Sequence, residues 1–430
     1  MTKELLKSSD YEIKNLTLYT SDGQSIDVDN IMLELDIFED IFSPGMTCTI
    51  RVSDGADLIS NFKFHGNEFL ELEIDKPTLD DPIKKVFRLY KISDRDFGTN
   101  YQNYTMHFCS EEMILSPQVM ISKSYRGLKI SGMIRNILSS YLKVKKTKIK
   151  FIQETEKAFD LIIPRMDPFE AIMWLTTKAY SKNDSLFLFF ENRDGFNFTS
   201  YERLIKKRPY TKYSKDFKID DDVFKNMSSF NFLKIIEEFD TIKSSRYGAF
   251  SSSFVNLNLI TKKFKTHNFN ANQFKDKGVL NKEVTMNNFK NRLNKTFYNS
   301  HQNMLKFTMS TDADETRNPL LAEEWLSQTA SKMGQLHLFK MIGTVPGDVL
   351  LKAGHVVEVD IPDLKPIDSD KRVELNETRS GKYLVSSVHH RFTKDEGIYV
   401  SIIELLSDSI SDNIPSPNNN LAKLKELSRS

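Results

Sequence analysis

Hydrophobic and polar positions alternate with a period of two toward the end of the chain. Val357, Val359 and Ile361 face one way, while Glu358 and Asp360 face the other. Successive side chains of a strand point to opposite faces, so this is the mark of a half-buried strand. Two more strand-like runs, Tyr383–Val388 and Tyr399–Leu405, flank the turn residues Asp395-Glu396-Gly397 and predict an antiparallel hairpin. The same order occurs near the start. Leu70, Leu72 and Ile74 alternate with Glu71, Glu73 and Asp75, an acidic spacer with Asp80, Asp81 and Pro82 follows, and VFRLYKIS and YQNYTMHFCSEE flank Gly98-Thr99-Asn100. The lead-ins also correspond, Ser53-Asp54-Gly55-Ala56-Asp57-Leu58 in one and Pro346-Gly347-Asp348-Val349-Leu350 in the other. The chain therefore carries two copies of one small antiparallel β domain, roughly 290 residues apart.

In the first copy, Tyr11–Thr20 and Ile31–Ile37 are further alternating strands, separated by Ser21-Asp22-Gly23. Glu39-Asp40-Ile41-Phe42 leaves a strand, Ser43-Pro44-Gly45 turns the chain, and Met46–Val52 returns. On a sheet edge, this 36–52 hairpin would suit pairing with a neighbouring subunit.

From about residue 116 the period changes. Met133, Ile134, Ile137, Leu138, Tyr141 and Leu142 fall at helical spacing within Leu128–Leu142. A second helix starts at Asp167, with Pro168 in its first turn and Glu170 completing a capping box. Its buried stripe is predicted as Phe169, Ile172, Met173, Thr176 and Tyr180. Two strands joined by Arg193-Asp194-Gly195 complete an α/β module. Beyond a polar linker (Pro209–Asp222), Phe230–Thr241 and Ala249–Thr261 are strand-like, and 262–316 is Lys-, Asn- and Phe-rich without a period. Asn318-Pro319 starts a helix expected to bury Leu321, Trp325, Leu326, Thr329 and Met333.

These patterns predict a mainly β (α+β) chain. Its domains are 1–115, a β domain; 116–208, α/β; 209–265, the first part of a second β domain; 266–316, a polar insertion; 317–407, a helix and the remainder of the second β domain; and 408–430, a tail that is mobile until a partner takes it.

A chain of 430 residues is too long for one core. The 60 Lys+Arg against 59 Asp+Glu exclude a molecule that binds polyanions through its overall charge, and 39% hydrophobic content argues against disorder. Cys48 and Cys109 make no disulfide scaffold and suit buried thiols in a reducing compartment. The N-terminus has no apolar leader segment, and no 18-residue apolar run occurs, so a soluble cytoplasmic product is expected.

No catalytic constellation emerges. Adjacent strand residues point apart, so His389-His390 cannot chelate one ion. Asp220-Asp221-Asp222, Glu237-Glu238 and Glu323-Glu324 fall where solvation accounts for them better than acid/base chemistry. Gly343–Asp348 lacks the Lys-Ser/Thr ending of a phosphate loop. The basic KVKKTKIK run (143–150) includes Val144 and Ile149 and reads as a solvated strand end. The expectation is no enzyme: no catalytic, cofactor-binding or metal residues, and no cofactor.

The segment Asp36–Phe42, the Asp54…Leu58…Gly66-Asn67-Glu68 spacing and the acidic strand after it resemble the first tube-like domain of baseplate hub proteins of contractile-tailed (myovirus) phages. SKSYRGLKISGMIRNIL, IIPRMDPFEAIMWLTTKA and FFENRDGFNFTSYERL resemble the domain between the two tube domains of that family. GHVVEVDIP…SGKYLVSSVHHRF is similar to the second tube domain. The resemblance covers about residues 11–407 and is least at 262–316 and in the tail. It implies two tail-tube-like antiparallel β-barrel domains, an α/β domain between them and an insertion in the second barrel. It further implies a homotrimeric virion structural protein that joins a hexameric tail tube to a trimeric central spike. Three subunits would give a six-barrel ring whose lumen passes DNA at ejection. Partners would be the central spike protein, a tail tube or tube-initiator protein, and baseplate wedge proteins, without membrane insertion. The protein would be assembled in the host cytoplasm and reside in the tail baseplate. The hub portion of a secretion-system spike resembles the same fold, but such chains usually continue into an OB-fold and a β-helical needle. The polar tail ending at Ser430 favours a separate spike chain.

Overall fold

The computed structural model describes residues 10–76, 79–182, 184–215, 228–258, 262–271, 278–282, 302–308, 325–363, 375–376 and 378–411. The first β unit contains β1 (Glu12–Tyr19), β2 (Ser25–Asp27), β3 (Met32–Asp40), β4 (Thr47–Asp54), α1 (Leu58–Phe62), β5 (Phe69–Lys76), β6 (Leu79–Phe97) and β7 (Gln102–Cys109). Its strands lie in the order β3-β4-β7-β6-β5-β1-β2. The alternation seen in the sequence puts one side of each strand into a common core. Leu16 and Leu18 at one end of the order share that core with Leu35, Ile37 and Ile50 at the other, so the sheet curls around it. A 3-10 turn, Asp29–Ile31, packs against both β1 and β4 across the gap. Each such side chain contributes roughly 1.5–3 kcal/mol by leaving water.

The middle of the chain forms α2 (Glu111–Leu115), β8 (Ile121–Lys129), α3 (Ile130–Ser140), β9 (Ile149–Ile152), β10 (Ala158–Met166), α4 (Pro168–Thr176), β11 (Phe187–Asn192), β12 (Gly195–Ser200) and α5 (Tyr201–Ile205). Both expected helices are present. Asp167 Oδ1 accepts from Glu170 N at 3.0 Å and caps α4. The buried face of α4 is wider than the expected stripe, taking in Ala171 and Leu175, because α3 and β11 flank it. Gly195 turns the β11–β12 hairpin at φ 122°, and a Cβ there would lie 2.2 Å from Lys148 O.

The last part holds β13 (Lys212–Ser214), β14 (Phe232–Glu238), α6 (Thr241–Arg246), β15 (Ser251–Asn258), β16 (Lys263–Asn270), β17 (Gln302–Thr308), α7 (Leu326–Leu336), β18 (Phe339–Pro346), β19 (Val356–Asp360), β20 (Gly381–Thr393) and β21 (Ile398–Ser407). Six of these strands pair in the order β14-β18-β21-β20-β19-β13. Strand for strand this repeats β3-β4-β7-β6-β5-β1; only the last pair differs, antiparallel in the first unit and parallel in the second. The repeat foreseen from the text is thus a repeat of strand order.

Several elements depart from expectation. The strand expected at 249–261 leaves the large sheet: β15 pairs instead with β16 and β17, which come from the Lys-, Asn- and Phe-rich 262–316 stretch, in a separate three-stranded sheet. Phe264 is exposed on β16 while Phe269 is buried, and their spacing of opposite parity hides any period. Helix α7 buries Ser327, Ser331, Lys332, Gln335 and Leu336, with Trp325 just before it, whereas Met333 is exposed. Its backbone comes close to Ala249, whose carbonyl accepts from Ser331 Oγ and Gln335 Nε2, so small and polar residues replace the expected apolar stripe. Asn318-Pro319 and Leu321 lie outside the described residues. Residues 408–411, expected to begin the mobile tail, are packed instead. Ile410 is buried, and Asp408 Oδ1 accepts from Leu280 N at 3.0 Å. Among the described residues, no helix is long and apolar enough to cross a membrane.

Candidate functional surface: a joined sheet with a polar face

The two β units meet edge to edge. β3 pairs antiparallel with β20, from Glu34 opposite Thr393 to Asp40 opposite Ser387, giving one 13-stranded sheet. The edge of the 36–52 hairpin, expected to pair with a neighbouring subunit, is therefore taken within the chain. On the core side of the joint, Phe392 lies opposite Leu35 and His390 opposite Ile37. Phe392 stacks on Tyr399 at 4.2 Å, and the Tyr399 hydroxyl hydrogen-bonds His390 Nδ1 at 2.9 Å. Burial pushes His390 down to about 3, so its ring is neutral in the core.

The other side of the joint is polar. Arg391 Nε lies 2.7 Å from Glu34 and 3.0 Å from Asp36, and His389 Nε2 shares a hydrogen bond with Asp36 while its ring stacks on Phe38 at 4.3 Å. Burial opposes ionisation of Asp36, but the hydrogen bonds from His389 and Arg391 outweigh it and hold the carboxyl below its usual range. Cross-strand neighbours carry this face across both units. One row runs Val400, Arg391, Asp36, Thr49, His107 and Lys91. Further along the sheet, Lys340 Nζ meets Glu404 at 2.6 Å. Acid–base pairing of this kind offsets charge on this face.

Behind the joint, the β11–β12 turn of the α/β module wedges between the two units. Arg193 N donates to Glu39 Oε1 at 2.6 Å, while Ala353 N donates to Glu39 Oε2 at 2.9 Å. The Arg193 guanidinium donates to Val349 O and meets Asp81 at 2.9 Å. Lys85 lies 2.9 Å from Glu191, whose other oxygen accepts from Met46 N and Ser110. Glu39 is fully buried, and burial outweighs its two backbone hydrogen bonds, raising it to about 7. The arrangement locks three parts of the chain at one point.

No family model and no curated protein sequence matches the chain. Solved structures do. A tail protein from Neisseria meningitidis MC58 aligns over 93% of this chain and 97% of its own, with TM-score 0.56 and 12% identity. The 43 kDa tail protein of prophage MuSo2 from Shewanella oneidensis aligns over 92% and 99%, with TM-score 0.54 and 8% identity. The chain has the fold of phage tail proteins. The β-rich, antiparallel architecture expected from the text is the observed one.

The residues weighed for chemistry are placed as follows. His389 and His390 point to opposite sides of β20, as strand geometry requires. Glu237 is 3.2 Å from Lys243, and Glu238 is 2.8 Å from Arg379. Gly343 lies under the Phe230 ring and Gly347 under Tyr399, where a Cβ would come within 2.4 and 2.1 Å. In the basic run, Val144 is buried and Lys148 pairs with Glu112 at 2.7 Å. Cys48 and Cys109 are buried and free, and burial raises both thiols, Cys109 to about 11. Asp220-Asp221-Asp222 and Glu323-Glu324 lie outside the described residues. Among the described residues, no cluster of three His, Cys, Asp or Glu is placed to hold a metal ion. Sequence reading passed over Glu39 and Arg193, since charged residues at a strand exit and in a hairpin turn look solvated.

Proposed function

We propose that the chain is a structural, non-catalytic protein of a phage tail baseplate: a trimeric hub between a hexameric tail tube and a trimeric central spike. One observation carries the reading. A single chain holds two β units of one strand order, already joined edge to edge through β3 and β20. Three such chains present six similar units toward a six-fold tube while keeping three-fold symmetry toward a spike. The polar sheet face would line the channel. Its cations face carboxylates, Arg391 against Glu34 and Asp36 and Lys340 against Glu404, so passing DNA would release few counterions and would not stick. The hub would be assembled in the host cytoplasm and reside in the virion tail.

Sedimentation equilibrium of the full chain tests the reading. A particle of three 49.8 kDa chains is expected, and a strictly monomeric or dimeric species across a wide concentration range would overturn it.

A further inference from the structure

We infer that residues 421–427 dock as a short helix into the cleft between α6 and α7 of the same chain. Docking of this kind is independent of whether copies close into a ring.

Two rows of side chains build the cleft. α7 turns Ala330, Met333, Gly334 and His337 toward it, at the i, i+3, i+4 and i+7 spacing of one helix face. α6 and the turn after it face them with Lys243, Ser244 and Tyr247, again three and four residues apart. The two elements come closest at Gly334, where a Cβ would lie 3.0 Å from the Ala249 Cβ. Between them is a volume of about 320 Å³, with little side chain on Ala330 and Gly334 to fill it, and with Tyr247 and Met333 exposed at its rims. Such a groove fits the apolar stripe of a third helix. Apolar surface of this kind, left open to water beside polar residues, marks a binding site.

The same chain supplies a matching segment, outside the described residues. Leu421, Leu424 and Leu427 recur at i, i+3 and i+6 among the helix formers Ala422, Lys423, Lys425 and Glu426, and Asn420 stands where an N-cap belongs. So short a helix is unstable alone in water and would form on docking. The charges are complementary. Glu237 and Asp240 line the cleft against Lys243, while Lys423, Lys425 and Arg429 outnumber Glu426 in the segment and just beyond it. The tail also starts in the right place. Asp408 lies 3.9 Å from Lys332, the neighbour of Met333 on α7. Ser411, the last described residue, donates to Ser380 O at 2.8 Å; the adjoining Arg379 pairs at 2.8 Å with Glu238, the neighbour of Glu237. The tail therefore departs from between the elements that carry the cleft. Residues 412–420, with Pro415 and Pro417 among them, span at most about 30 Å. A tether of that length reaches its own cleft and favours it over the cleft of another copy.

The test uses the full chain. Trypsin cuts after Lys423, Lys425 and Arg429 only while the tail is undocked, so the rate of tail loss, read by mass spectrometry, reports the docked population. Leu424→Asp removes an apolar anchor from the tail, and Met333→Lys sets a like charge on an exposed cleft position. Both variants should melt like the parent and lose the tail roughly tenfold faster, the effect of withdrawing one buried leucine. A Tyr247→Cys/Leu424→Cys variant treated with a short bis-maleimide should be bridged within one chain, at a yield independent of protein concentration. Buried Cys48 and Cys109 add no background. A control with Ile162→Cys, exposed on β10, in place of Tyr247→Cys should not bridge. A parent tail lost as fast as that of Leu424→Asp would overturn the proposal. So would a protected tail that bridges to position 247 only between chains, does not bridge there at all, or bridges equally well to position 162.

Discussion

Replacing Glu39 by Gln, and following stability between pH 5 and pH 8, probes the three-way lock behind the joint. Glu39 is raised from its ordinary 4.5 to about 7 because burial outweighs the N–H groups of Ala353 and Arg193, and nearby Lys85 and Arg193 offset it only in part. The sign follows directly. Below 4.5 the carboxyl is protonated whether the chain is folded or unfolded, so its full contribution is present. As pH rises toward about 7 the unfolded chain gives up this proton while the folded chain keeps it, and stability falls; above about 7 no further loss follows. At about 1.4 kcal/mol per pH unit, the loss is about 3 kcal/mol. The Glu39→Gln protein starts lower at acid pH, since an amide has one acceptor oxygen for two N–H donors, a deficit of about 1–3 kcal/mol. Its stability lacks this slope. Subtracting the variant's curve from the parent's removes the other titrating groups, His355 and His390 among them, both pushed down to about 3 by burial. Thermal melting followed by near-UV circular dichroism should show the parent losing on the order of 2–4 °C more than the variant between pH 5 and pH 8. Parallel curves would refute the reasoning.

Phe392→Ala removes a ring that stacks on Tyr399 at 4.2 Å in the shared core, and urea unfolding should report a loss of about 3–5 kcal/mol. Asp36→Asn removes the acceptor for Arg391 and His389 on the polar face; with Arg391 partly exposed, the expected loss at neutral pH is about 1 kcal/mol. Because Asp36 is held below its usual range, its contribution is present above the ordinary carboxylate pKa and lost as pH falls through the depressed one. The gap between parent and Asp36→Asn should therefore close in acid, and a gap that widens there would contradict the assignment.

Much of this architecture was legible because it is written locally. The alternation in 69–76 and 356–360 reflects one buried and one wet side of a strand, and the Asp167-Pro168…Glu170 pattern marks a helix start whatever surrounds it. What escaped depends on pairing between distant parts. Nothing in residues 32–40 says that their free edge meets 387–393, since a strand edge is backbone and carries no letter of its own. Glu39 and Arg193 look like solvated residues until the fold buries them against each other. Helix α7 hides its contact behind Ser331 and Gln335, which bind the backbone of Ala249 where an apolar stripe would be read. Strand β16 places Phe264 and Phe269 on opposite sides and shows no period.

Single-particle electron microscopy of the purified full chain tests the central claim most directly. The account predicts a three-fold ring of six similar curled sheets around an open axial channel, with Glu34, Asp36, Thr49 and Arg391 on the channel wall. A closed particle without a channel, or one whose polar sheet face is buried between subunits, would contradict it.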